Sequence, residues 1–262
     1  MKQTLRIALK EAGNILMDNF GKISDYKVKE SQSSIVTKAD LDSEKKIMEI
    51  ISKVFPDHNL LGEETGFKNR NSEYTWVVDP IDGTSNFAAG IPWFGIIICV
   101  LKNFEPVMAG CYLPVQDQTY FAEKGKGASL NGTSISVSKE TQLKNILAVY
   151  SLDYSDDPGK TEREAQNIIH LVKNVRNLRS TNCLIDLCYT ADGKFGAIIN
   201  QSTKIWDLAG TGLIIEEAGG KITDLNGNRF DFTLTENNYD RNFEIVGSNK
   251  LLHQELLNLF QI

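Results

Sequence analysis

At 262 residues the chain has room for one large core or two lobes. Hydrophobic residues make up 41% and charged residues 24%, an ordinary soluble composition, and 34 acidic against 28 basic residues leave a net charge of −6. That balance argues against electrostatic binding of nucleic acid or of an anionic membrane surface. The three histidines, His58, His170 and His253, are too widely spaced for a local zinc motif, so any metal or acid–base chemistry falls to carboxylates.

In chain order, the first 20 residues carry Lys2, Arg6, Lys10 and Glu11 and no uninterrupted apolar run, unlike a signal peptide. Leu5, Ala8, Leu9, Ala12, Ile15, Leu16 and Phe20 recur at helical spacing, with Gly21 as a stop. A second helix is predicted from Thr37–Asp40 to Pro56. Strands are expected at Tyr74–Val78, Phe94–Leu101, Val107–Leu113 and Thr119–Ala122, and Asn131-Gly132 reads as a hairpin turn. Further on, helix-like stretches at Glu162–Lys173, Leu184–Ala191, Leu208–Ala218 and Leu251–Phe260 alternate with short strands near Val175–Leu178, Phe195–Ile199, Lys221–Thr223 and Phe243–Val246. The pattern is that of a layered α/β protein, a single domain over 1–262. The polar stretch Ser151–Thr161 is the expected boundary between lobes of about 1–150 and 151–262. The longest apolar run, Ile91–Leu101, falls well short of the roughly 20 residues that span a bilayer. Cys99, Cys111, Cys183 and Cys188 form no CxxC pair and read as buried, reduced thiols of a cytoplasmic protein.

Four strings carry chemistry. In Trp76-Val77-Val78-Asp79-Pro80-Ile81-Asp82-Gly83-Thr84 an apolar strand delivers two carboxylates and a Gly-Thr pair at its C-terminal end, where ligands of α/β folds bind. Asp79, Asp82 and the Ile81 carbonyl are hard oxygen donors suited to Mg²⁺, and Gly83 and Thr84 offer backbone N–H groups to a phosphate. The same residues are also good turn formers. Spaced D-x-x-D-G-T, the string is one residue longer than the D-x-D-G-T of haloacid dehalogenase phosphatases, which excludes that class. Leu61-Gly62-Glu63-Glu64-Thr65 supplies a further carboxylate or a solvated acidic turn. Thr37-Lys38-Ala39-Asp40 fits a capping box as well as a catalytic group. Asp207 in Ile205-Trp206-Asp207-Leu208-Ala209-Gly210 reads as a helix N-cap or a metal ligand.

Taken in this order, the strings resemble the inositol monophosphatase family of Mg²⁺-dependent, lithium-sensitive phosphatases, over roughly Ile7 to Val246. The resemblance implies an αβαβα sandwich of the inositol monophosphatase/fructose-1,6-bisphosphatase kind, a cytoplasmic homodimer and two or three Mg²⁺ ions. It implies that Glu63, Asp79 and the Ile81 carbonyl hold a first ion and Asp79, Asp82 and Asp207 a second, with Glu63 near a third. Asp40 and Thr84 would form the dyad that helps deprotonate a metal-activated water, with Glu63 also counted among the catalytic groups. Gly83 and Thr84 would receive the phosphate. Asp82, Thr181, Asn182, Asn200 and Asp207 would contact the substrate.

The departures lie on the substrate side. Thr181-Asn182-Cys183 stands where the family usually reads Gly-Ser/Thr-Ala, Ser34-Ile35-Val36-Thr37 replaces Asp-Leu-Val-Thr, and Asn200 replaces a Glu that contacts sugar hydroxyls. An amide still donates and accepts, but a charge-assisted bond is lost. Lys29 keeps a basic residue on the phosphate side. The expected activity is hydrolysis of inositol monophosphate or a similar polyol or sugar phosphate. Histidinol phosphate, fructose 1,6-bisphosphate and 3′-phosphoadenosine 5′-phosphate are rival substrates. A non-catalytic regulator on the same fold is the other class, and it would be expected to have lost part of the ligand set.

Overall fold

The apolar stripe of the first segment folds as α1 (Lys2–Asn19), which buries Leu5, Ala8, Leu9, Ala12 and Leu16. The computed structural model describes residues 1–22, 26–29, 31–32 and 34–260. A short antiparallel pair, β1 (Lys27–Val28) and β2 (Ile35–Val36), leads into α2 (Lys38–Val54), which starts at the capping box read from the sequence. Unlike α1, α2 buries a mixed face: Asp40, Ser43 and Glu44 beside Ala39, Ile47 and Ile51.

Next come β3 (Asn59–Gly62), β4 (Gly66–Lys68), β5 (Tyr74–Asp82), the short helix α3 (Thr84–Ala88), β6 (Gly95–Lys102), β7 (Glu105–Leu113), β8 (Gln118–Glu123), β9 (Ala128–Leu130) and β10 (Thr133–Ser134). These strands form an eight-stranded sheet ordered β10-β9-β8-β7-β6-β5-β3-β4, antiparallel except for the β3–β5 pair. Asn131 and Gly132 take positive φ between β9 and β10, the hairpin turn expected of Asn-Gly.

The remaining elements are β11 (Leu147–Ser151), α4 (Pro158–Asn174), β12 (Asn177–Arg179), α5 (Leu184–Ala191), β13 (Ala197–Thr203), α6 (Ile205–Glu217), β14 (Gly220–Thr223), β15 (Phe243–Asn249) and α7 (His253–Asn258). Their strands make a second sheet ordered β12-β11-β13-β15-β14. One hydrophobic cluster joins α1 and α2 to the outer face of the first sheet. A second joins α5 and α6 to the facing sides of both sheets, and a third joins α4 and α7 to the far side of the second sheet. The layers therefore run α, β, α, β, α.

The Glu63–Thr65 segment is the tight turn between β3 and β4, and Leu60 and Leu61 pair with both β4 and β5. One feature differs from the sequence reading. The second sheet begins at β11, a strand not anticipated from Leu147–Ser151, so the change of sheet falls between Ser134 and Leu147, ahead of the polar stretch. All four cysteines are free and buried. Among the described residues no helix is long and apolar enough to cross a membrane.

One irregularity decides where the chemistry sits. Strand β5 pairs with β6 in regular register from Tyr74↔Lys102 to Asp79↔Ile97 and resumes at Asp82↔Gly95, three steps on one strand against two on the other. In a regular strand, side chains at i and i+3 face opposite sides; the extra residue of a bulge brings them to the same side. Pro80, which has no N–H to give the ladder, falls inside the bulge, where its absence costs no pairing.

Leu5 is fully buried and packs against the space left by Gly110, where a Cβ would lie 2.5 Å from a Leu5 methyl. Leu5→Ala is expected to lower stability by about 3 kcal/mol in urea unfolding, through the cavity it leaves.

Candidate active site

The bulge aims Asp79 and Asp82 at the N-terminus of α6, and there they meet Asp207: one carboxylate oxygen from each lies within 4.8 Å of the others. The helix begins at Ile205, so Asp207 occupies its third position and not the N-cap considered from the sequence. Its Oδ2 accepts from the Lys204 N–H at 2.8 Å, which fixes the carboxylate at the first turn. Asp82 Oδ1 accepts from the Leu184 N–H at 2.6 Å, at the start of α5, and Asp79 Oδ1 accepts from the Ile81 N–H at 3.0 Å. Three elements from both halves of the chain thus hold the three carboxylates in place.

Glu63 lines the same cavity, which has a volume of about 530 Å³. Its Oε1 accepts from Lys29 Nζ at 2.7 Å, and the same ammonium meets Glu64 Oε1 at 2.7 Å. Lys29 therefore faces the acidic turn as well as the cavity. Burial opposes its charge, but the two carboxylates outweigh that and raise its pKa.

On the other side of the cluster, Asp40 is buried on the first turn of α2. Its Oδ2 accepts from the Thr37 N–H at 2.8 Å and the Thr37 hydroxyl at 2.5 Å, leaving Oδ1 for the Thr84 hydroxyl at 3.1 Å. Capping and the predicted dyad coexist because they use different oxygens. The Thr84 hydroxyl also lies 2.9 Å from the Ile81 carbonyl. Gly83 has φ of 91°, and a Cβ there would fall 2.7 Å from the Trp93 carbonyl oxygen, so only glycine makes this turn.

The substrate-side residues divide. Asn182 and Asn200 line the cavity; Thr181 does not, because its hydroxyl donates to Asp186 Oδ1 at 2.8 Å. Asn182 has φ of 56°, and its side chain binds the Leu152 N–H and Asp153. Asn200 sits beside a second bulge, between Asn200 and Thr203 on β13, and its Oδ1 accepts from the Ser202 N–H. Sequence reasoning missed the buried Asp186 that organises this turn, Lys160 and Asp153 on the cavity wall, and Glu44 beneath the Glu63 turn. No local motif marks Asp186 or Lys160; Glu44 carried one signal, a carboxylate on the buried side of a helix beside Asp40.

Burial drives the electrostatics. It raises the pKa of Asp79 and Asp82 well above the ordinary carboxylate range, and the neighbouring carboxylates add to the shift. Burial likewise lifts Glu63 to about 7, with Lys29 pulling it down, and Asp207 to about 6, with the Lys204 N–H pulling it down. Two like charges less than 5 Å apart repel by ~3 kcal/mol at an effective dielectric of about 20. A divalent cation relieves that repulsion, and an all-oxygen donor set suits Mg²⁺. The donor set therefore fits the metal.

Comparison with known proteins agrees with the geometry. The sequence profile of the inositol monophosphatase family matches residues 1–262, and the chain belongs to that family of phosphoric monoester hydrolases. It is 33% identical to a protein of Aquifex aeolicus named fructose-1,6-bisphosphatase/inositol-1-monophosphatase, over 98% of this chain and 94% of that one. It is 31% identical to the inositol-1-monophosphatase of Caulobacter vibrioides, over 95% and 96%. Among solved structures, the extragenic suppressor protein SuhB of Bartonella henselae superposes with a TM-score of 0.91 at 27% identity, covering 99% of this chain and 98% of that one.

The raised carboxylate pKa values fix a sign. Without a divalent cation the folded protein holds more protons than the unfolded chain between about pH 4 and pH 7, so its stability falls as pH rises through that window. Thermal unfolding in EDTA is expected to show a lower Tm at pH 7.5 than at pH 5.5. Because Mg²⁺ must displace those protons, its affinity by calorimetry is expected to fall from pH 7.5 to pH 6.

Proposed function

We propose that this protein is a Mg²⁺-dependent phosphomonoesterase that hydrolyses inositol monophosphate or a similar small polyol or sugar phosphate. The observation that carries this reading is the convergence of Asp79, Asp82 and Asp207 beside the Asp40–Thr84 pair, at one end of a cavity large enough for a sugar phosphate.

In this reading Glu63, Asp79, Asp82, Asp207 and the Ile81 carbonyl hold two or three Mg²⁺ ions. When bound, Mg²⁺ neutralises phosphoryl and leaving-group charge and lowers the pKa of the attacking water. The Thr84 hydroxyl, held by Asp40, stands where it can accept the water's proton as it passes its own to Asp40. Burial already raises the Asp40 pKa, which favours that acceptance. The N–H groups of Gly83 and Thr84 bind the phosphate oxygens, and Asn182 and Asn200 orient the hydroxyls of the leaving group. With attacker and phosphoryl group positioned, in-line transfer needs charge stabilisation more than covalent help from the protein.

One observation favours a broader substrate range. Lys160, at the start of α4, lines the cavity with Nζ 2.5 Å from the Ser202 hydroxyl, and among the described residues no carboxylate lies within ion-pair distance of it. A cation there supports acceptance of a second phosphate, as in a sugar bisphosphate, which agrees with the double name carried by the Aquifex relative. The free, buried cysteines support a cytoplasmic setting.

Asp82→Asn is expected to abolish Mg²⁺-dependent release of phosphate from inositol 1-phosphate and from a generic aryl phosphate while the circular dichroism spectrum is kept; retained turnover would refute the metal assignment. Asn200→Glu is expected to raise kcat/KM for inositol 1-phosphate relative to fructose 1,6-bisphosphate. Lys160→Met is expected to raise KM for the bisphosphate alone, by about tenfold, the loss of one charge-assisted contact.

A further inference from the structure

The turn that carries Glu63 is held from beneath by a residue outside every motif. Glu44 is 1% exposed on α2, and its Oε2 accepts from the Glu64 N–H at 2.9 Å. Burial pushes the Glu44 carboxyl above its ordinary pKa, and the Thr65 hydroxyl with the Glu64 and Thr65 amides draws it part of the way back. Gly62, on the near side of the turn, makes room for it: a Cβ there would fall 2.4 to 2.7 Å from the Glu44 carboxyl atoms. Its Oε1 has no hydrogen-bond partner among the described residues. A buried carboxylate with one oxygen unpaired is a poor stabiliser, since an apolar side chain of the same size would fill the space without the desolvation cost. The same helical face carries Ser43, whose hydroxyl donates to the Pro80 carbonyl at 3.2 Å, and Asp40, which holds Thr84. Positions 40, 43 and 44 stand at the i, i+3, i+4 spacing of one face. Each meets a different segment of the site.

We propose that Glu44 is a positioning residue for Glu63: by anchoring the backbone of Glu64 from below, it fixes the Glu63 carboxylate toward the cavity and so sets the affinity of the site for its divalent cation. Lys29 grips the side chains of Glu63 and Glu64 from the opposite side, so the turn is clamped between one helix-borne acceptor and one ammonium. Groups that orient a metal ligand through a second hydrogen bond typically change metal affinity by 10- to 100-fold when removed.

The inference rests on the reading that Glu63 is a metal ligand. Its test is calorimetric titration of Mg²⁺ into metal-stripped protein, paired with kcat at saturating Mg²⁺, for the parent, Glu44→Gln, Glu44→Ala and Gly62→Ala. Glu44→Ala is expected to weaken Mg²⁺ binding by about tenfold. Glu44→Gln, which keeps one acceptor for the Glu64 N–H, is expected to lose about threefold, and Gly62→Ala, which pushes Glu44 aside, is expected to behave like Glu44→Ala. In all three, kcat at saturating Mg²⁺ stays within about threefold of the parent, a split that general loosening of the fold would not give. If Glu44→Ala does not fold, Glu44→Gln carries the test. Parental Mg²⁺ affinity in the folded variants, or a fall in kcat with affinity unchanged, overturns the proposal. A parent protein that takes up no Mg²⁺ refutes the functional reading itself.

Discussion

Mutual repulsion among buried carboxylates is the constraint around which this molecule is arranged. Asp79, which is buried, and the half-buried Asp82 and Asp207 are held together on the cavity wall, where water screens them poorly, with Glu63 on the same cavity. Left alone, such groups take up protons or push apart. Each is instead tied: Asp82 to the first N–H of α5, Asp207 to the backbone at the start of α6, Asp79 to its own turn, and Glu63 to Lys29. The fold supplies helix starts on one side and a bulged strand on the other, and the sandwich brings them face to face. In the proposed function, relief of that repulsion is what gives a divalent cation its binding energy.

How much of this was readable in the sequence follows the range of the interactions. The strand ending in Asp79-Pro80-Ile81-Asp82, the capping box at Thr37 and the Asn131-Gly132 turn depend on neighbours a few residues away, and all three were legible. Strand β11 was not: Leu147–Ser151 is short and lacks a flanking turn signal, and its pairing partners lie about 30 and 50 residues further on. Glu44 could not be weighed either, since a glutamate one turn past Asp40 looks like any solvated helix charge until the β3–β4 turn is folded over it. Asp207 was read at the right helix but at the wrong cap position, because the helix starts three residues earlier than its polar residue implied.

In the proposed function, the substrate wall is a different physical problem from the metal cluster. It is made from the second sheet and its connections: Asn200 beside the β13 bulge, Asn182 in a left-handed turn held by Asp186, and Lys160 at the start of α4. These are neutral or cationic groups, Asn200 and Lys160 both bonded to Ser202 and Asn182 to Asp153, and among the described residues none shares a hydrogen bond with the three clustered aspartates. On the proposed function, chemistry and selectivity reside on separate elements, joined by one cavity.

The bulge in β5 has a bearing on how the chain tolerates change in length. Loops at the rim of the sheet can gain or lose residues without disturbing the core, but the interval from Asp79 to Asp82 cannot. Deleting one of the two intervening residues would leave the aspartates two apart and still on one side, but it would remove the bulge and draw Asp82 and the Gly83 turn back along the strand, away from the first amide of α5. An insertion would displace Asp82 from the first amide of α5. This part of the strand therefore behaves as a counting device, and evolution by indel is closed to it while remaining open to the segments that shape the substrate wall.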